Sequence, residues 1–334
     1  MNHSISFFRL VFTFIIAFWH FPLLSKGVLN SGYIVVEFFF ILSGYLLYQS
    51  SNKQIGTIEY TKNKISRFWL KAVIITTIIS LANNSMVFNH LNDFLQYSEK
   101  VFLLLAVIVP TDKNIPVHNG PIWYLTVLIW GGALIYAIIK TFPQKWKFIL
   151  SVICIASYAI VLKNTYIFDE AWAYPLPLLR GLGCLSLGCI ISYIVRNQRN
   201  IISKNLLNAI GILGVITSTI LLFSKDVHGI LPVICYSFII FACFKKETLI
   251  YKLLNRPIFS KWASTSFEIF IGHLFVVKIV FRIMQLCFRA DIIENINTIE
   301  KIIGSIIYFI TLLIFGYIYQ KICNKLENGL NRIF

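Results

Sequence analysis

The chain has 334 residues, 57% hydrophobic and 13% charged, with a mean hydropathy of +0.75. That is too apolar for a water-soluble enzyme, and 29 Phe against 9 Pro and 17 Gly also exclude disorder, collagen and low-complexity architectures. Its net charge of +16 would suggest nucleic acid in a soluble protein, so the placement of the cations decides what they mean.

A helix crossing the hydrocarbon needs about 20 apolar residues, which predicts an all-α polytopic membrane bundle of ten spans. They cover approximately residues 6–24, 33–50, 68–83, 121–139, 148–162, 176–195, 205–223, 229–244, 265–285 and 302–321. The first lacks the basic n-region and small-residue cleavage site of a signal peptide, so it reads as a retained span. Residues 83–120 read as an external loop, in which the apolar stretch from Val101 to Pro110 is too short to cross and suits an interfacial or re-entrant piece. The seven cysteines lie mostly in apolar runs and never as CxxC, so neither a metal nor a disulfide framework is expected. With no internal repeat of 20 to 50 residues, 1–334 reads as one transmembrane domain.

Twenty of the Lys and Arg residues fall on one side of this topology, seven on the other and three within spans. Cytoplasmic loops carry the basic excess, which puts both termini in the cytoplasm and makes the +16 mainly an orientation signal, with no nucleic-acid partner expected.

Ionisable groups within spans cost a few kcal/mol each and mark functional or internal contacts. Here they include Arg9, His20, Glu37, Arg180, Glu268, His273, Lys278 and Arg282. Arg9 and His20 are eleven residues apart, which puts them on one helix face, about 16 Å apart along the axis. Glu37 enters the second span at the depth at which His20 leaves the first. That spacing admits a His20 base oriented by the Glu37 carboxylate, or two polar groups that merely satisfy each other. Arg9 and Arg67, at the basic boundary, suit phosphates or serve as topology anchors. Trp123 and Tyr124 suit a sugar face or the membrane interface. Arg180 suits an anionic lipid diphosphate or an acidic side chain. Glu268, Lys278 and Arg282 suit internal pairing. A transporter or flippase for a glycan or its lipid carrier is the competing class, although neither repeat symmetry nor interrupted helices are evident.

Several segments together resemble the membrane-bound acyltransferase family 3. Arg9 and His20 form its R-x10-H arrangement. Glu37-Phe38-Phe39 through Ser43-Gly44-Tyr45 is similar to its acidic-FF-x-x-SG-aromatic element, with Glu where Asp is commoner. Arg67 to Lys71 resembles its basic stretch before the third span, and Trp123-Tyr124-Leu125 its W-[FY]-L element, without the Glu often found shortly after. Arg180-Gly181 with Gly188 is similar to its Gly-rich sixth span, and Ser266 to His273 to its late S-x-x-[IL]-[FY]-L-x-H element. The resemblance is to the stand-alone, membrane-only branch. It implies transfer of an acyl group, most often acetyl, from cytoplasmic acetyl-CoA or another acyl-CoA to a hydroxyl of a cell-surface glycan or undecaprenyl-linked saccharide, in the bacterial cytoplasmic (inner) membrane. It also implies His20 and Glu37 as catalytic residues, with Arg9, Arg67, Ser43, Trp123, Tyr124, Arg180 and His273 contacting substrates.

Overall fold

A computed structural model describes residues 2–25, 28–82, 97–98, 100–105, 119–163, 176–197, 203–225, 227, 229–288 and 298–333. Among these residues every regular element is helical. The ten principal helices are α1 (His3–Trp19), α2 (Val35–Ser51), α3 (Thr57–Ala82), α4 (Ile122–Thr141), α5 (Trp146–Lys163), α6 (Leu176–Asn197), α7 (Lys204–Phe223), α8 (Leu231–Phe244), α9 (Ser266–Phe288) and α10 (Thr298–Ile333). Eight of the described helical stretches are long and apolar enough to cross a membrane; α1 and α8 are shorter apolar helices. The ten hydrophobic runs of the sequence thus correspond to ten helices in an all-α polytopic membrane protein.

The largest departure at a helix start is at α3, which begins eleven residues ahead of the apolar run. Its first turns, Thr57 to Arg67, are polar, and hydropathy is blind to a helix that continues into water. At 26 residues α3 is about 39 Å long, beyond a hydrocarbon core of about 30 Å. Much of the 83–120 loop lies outside the described residues. Within the described part, Trp69 of α3 and Trp130 of α4 donate their indole N–H groups to the carbonyls of Phe102 (2.6 Å) and Leu103 (3.2 Å), pinning this segment across the two helices.

Two arrangements position the site. The first joins α2 to α6. A Cβ placed on Gly44 would lie 2.0 Å from the Leu185 carbonyl oxygen, and one on Gly188 would lie 2.0 Å from that of Ile41. Only glycine lets these backbones meet, and the small residues of α6 are the reason it can lie flat on α2. The second joins α1, α9 and α10 through Ala17, Phe21, Ile269, Val276 and Tyr308. Tyr308 Oη donates to the Ala17 carbonyl at 3.0 Å, fixing the end of α1 beside α9. At the opposite end of α1 the Asn2 side chain caps the helix through Ile5 N and donates to the Cys243 carbonyl at 2.7 Å.

Within α4, residues Val127–Gly131 form one π-helical turn between the α-helical segments Ile122–Thr126 and Gly132–Thr141. Such a turn inserts one residue into the helix and rotates the turns beyond it, a device frequent near functional sites.

Candidate active site

A cavity of about 370 Å³ opens at the Arg9 end of α1. Arg9 and Thr13 line it from α1, Ser43 from α2, Tyr124 and Leu128 from α4, and Lys64, Arg67 and Lys71 from α3. Positions 64, 67 and 71 follow the three-then-four spacing of one helix face, so the polar extension of α3 lays three cations along the same wall. Ser266, Glu268 and Phe270 of α9, with Gln320 of α10, complete it. Among the described residues, four cations against one carboxylate make this wall suited to an anionic ligand. The one carboxylate is engaged: Lys71 Nζ donates to Glu268 Oε1 at 2.8 Å.

The structure brings together Arg9 and Arg67, which the sequence paired at the basic boundary, and adds Ser43 and Tyr124 to the same cavity, although Tyr124 was expected at the outer edge of its span. Tyr124 Oη lies 3.4 Å from Ser43 Oγ. Trp123 packs on Phe40 and Tyr124 and is not among the cavity's lining residues. Lys64, counted in the sequence only as a topology charge, Lys71, the end of the basic stretch, and Glu268, given no role, belong to the wall. Their helical spacing beside Arg67 was the available signal. Lys278 and Arg282 instead sit on the exposed side of α9.

His20 caps the C-terminal end of α1 and is separate from the cavity, about three turns of helix above Arg9. Its neighbour is His273: the two imidazole centroids are 4.9 Å apart, with planes tilted by 35°. His273 Nδ1 lies 2.7 Å from the Phe270 carbonyl oxygen, which can only accept, so Nδ1 carries the proton and Nε2 is the free acceptor. That Nε2 is buried and has no hydrogen-bond partner among the described residues. Phe270 connects the two places, because its ring lines the cavity while its carbonyl sets the His273 tautomer. Its ring packs edge-on against Tyr124 at 5.1 Å and lies 6.2 Å from Phe39, both also lining the cavity, and it is 6.3 Å from the His273 ring.

The carboxylate expected to orient His20 is held elsewhere. Arg180 Nε and Nη2 donate to the two oxygens of Glu37 at 2.5 and 2.6 Å, and Nη2 also donates to the Tyr33 carbonyl at 3.1 Å. Both side chains are buried. Helix α6 rather than α1 supplies the partner of Glu37, because the glycine contact brings α6 hard against α2. Arg180 thereby takes the acidic partner that was one of its two expected roles. A chain of contacts runs from it to His20: Tyr33 packs on Trp19 at 5.5 Å, and Trp19 packs on His20 at 4.6 Å.

Helical bundles host many chemistries, so comparison with known proteins adds what geometry alone does not. Neither a curated protein nor a solved structure matches the chain significantly. A family model described as an acyltransferase domain does match, over residues 2–321, which takes in every residue of the site just described. The chain belongs to acyltransferase family 3, and it is a membrane acyltransferase.

Proposed function

We propose that the protein is an O-acyltransferase of the bacterial cytoplasmic membrane. It moves an acyl group, acetyl in the simplest case, from cytoplasmic acyl-CoA to a hydroxyl of a cell-surface or undecaprenyl-linked polysaccharide. The observation that carries this reading is the order of groups along α1: a four-cation cavity at the Arg9 end, and a pair of histidines about three turns further on. The basic excess orients the Arg9 end toward the cytoplasm, where acyl-CoA is found.

In this reading Arg9, Lys64, Arg67 and Lys71 hold the phosphates, the arginines as forks and the lysines as point charges. The pantetheine arm extends past the Phe39, Tyr124 and Phe270 rings, and the thioester arrives beside the histidines. His20 accepts the proton of the acceptor hydroxyl as its oxygen attacks the thioester carbonyl. The C–S bond then breaks, and the His20 imidazolium returns the proton to the departing thiolate, giving ester and free CoA. His273 Nε2, an acceptor held in one tautomer, receives a hydrogen bond from the acceptor sugar. Tyr124 and Ser43 border the arm's path. Glu37 and Arg180 are positioning residues that hold the Tyr33 to Trp19 packing on which His20 rests.

The test is to supply acetyl-labelled acetyl-CoA to membranes containing the wild type or His20→Ala at matched expression. Label should reach glycan only with the wild type; equal transfer by both would remove His20 from the mechanism. A glycan transporter would move its cargo with no label transferred by either protein.

A further inference from the structure

Glu268 and Ser266 are the least satisfied groups in the cavity wall. Lys71 engages Glu268 Oε1, while Oε2 is buried and has no hydrogen-bond partner among the described residues, and the same holds for Ser266 Oγ. Glu268 is 1% exposed and Ser266 3%, and both line the cavity. A buried carboxylate oxygen left unmatched is costly, and it is most readily matched by a ligand that donates a hydrogen bond there. The cations of the same wall call for phosphate. The complete ligand therefore carries anionic groups near Arg9 and Arg67 and a hydrogen-bond donor part-way along its length.

Depth narrows the donor. Glu268 precedes His273 by five residues on α9, about 7.5 Å along the axis toward the cationic end, and Ser266 lies about 3 Å further in that direction. In an extended pantetheine arm with its thioester at the histidines, the first amide N–H is about 5 Å from the thioester carbon, and its carbonyl follows on the phosphate side.

We propose that Glu268 Oε2 accepts a hydrogen bond from the thioester-proximal amide N–H of the acyl-CoA arm, so that Glu268 registers the arm's length against the histidines. The proposal rests on acyl-CoA being the donor. Lys71 has a defined part in it: by occupying Oε1 it leaves Oε2 as the carboxylate's open acceptor.

Glu268→Gln is informative because its amide oxygen would take the Lys71 contact and leave NH2 facing the arm, a donor where an acceptor is needed. The experiment is calorimetric titration of purified protein in lipid nanodiscs with CoA, with a CoA analogue whose thioester-proximal amide is an ester, and with adenosine 3′,5′-bisphosphate. The wild type is expected to bind the ester analogue at least about tenfold more weakly than CoA, as for loss of a hydrogen bond to a charged group. Glu268→Gln should bind CoA about tenfold more weakly, no longer distinguish it from the analogue, and bind the bisphosphate as the wild type does. Equal binding of CoA and analogue by the wild type would overturn the inference whatever the fate of the variant. Equal weakening of CoA and bisphosphate in the variant would also overturn it, by assigning Glu268 to the nucleotide end. A wild type that binds no CoA would overturn the donor assignment itself, and the inference with it.

Discussion

Arg180 closes on Glu37 across 143 residues of chain, with two nitrogens donating to two carboxylate oxygens at 2.5 and 2.6 Å. This planar two-bond match is the arrangement that a lysine in place of Arg180 could not reproduce. Because both residues are buried, removing one leaves the other charged and unmatched in a low-dielectric bundle.

Glu37→Ala and Arg180→Ala are each expected to lower unfolding stability by about 3–5 kcal/mol, whereas Glu37→Leu with Arg180→Met together should cost far less than the sum. Thermal unfolding in detergent compares the three. Additive losses would mean that the pair is not a unit.

The glycine contact makes a sharper steric prediction. Gly188→Ala would put a methyl group 2.0 Å from the Ile41 carbonyl oxygen, which is backbone and cannot rotate away. We expect a loss of about 3 kcal/mol or more and little folded protein in the membrane, as for severe overpacking. Gly56→Ala, with open space at its Cβ, should be tolerated. Similar yields of both variants would contradict the close approach.

For the histidines the expectation is kinetic. His20→Ala should lower acyl transfer by about 10²–10⁴-fold, and His273→Ala should also lower it; the double variant should be little worse than His20→Ala alone, because the two act on one event. All three should keep near-wild-type affinity for CoA. Multiplicative losses in the double variant would separate the two rings functionally despite their 4.9 Å spacing.

Substitutions on the α3 face should act on the donor rather than on the chemistry. Lys64→Met and Arg67→Met are each expected to raise KM for acyl-CoA about tenfold with kcat largely retained, and to flatten its dependence on ionic strength. An unchanged KM with reduced kcat would place the phosphates elsewhere.

The spans were legible because twenty-residue apolar runs are a one-dimensional signal, and so was the Arg9 to His20 alignment, since it lies on one helix. Pairings between helices were not. Depth put Glu37 level with His20, but which neighbour faces it depends on helix packing, and the clue was indirect: Gly181 and Gly188 beside Arg180 marked α6 as the helix able to come closest. The same applies to His20 and His273, 253 residues apart in a chain where only packing could join them. The polar first turns of α3 were missed for the opposite reason. Their charges were so informative about orientation that their spacing, which predicts a shared wall with Arg67, carried no weight.

The contact of Gly44 with Leu185 and of Gly188 with Ile41 leaves no side-chain cushion between two helices that carry Glu37 and Arg180. Cushioned helices slide by exchanging rotamers; bare backbones interlocked through an ion pair have no such gears. The centre of this protein is accordingly a chassis and not a hinge. Under the proposed function, donor and acceptor would both travel to a stationary meeting plane, unlike the cargo of a carrier that rocks from one face to the other.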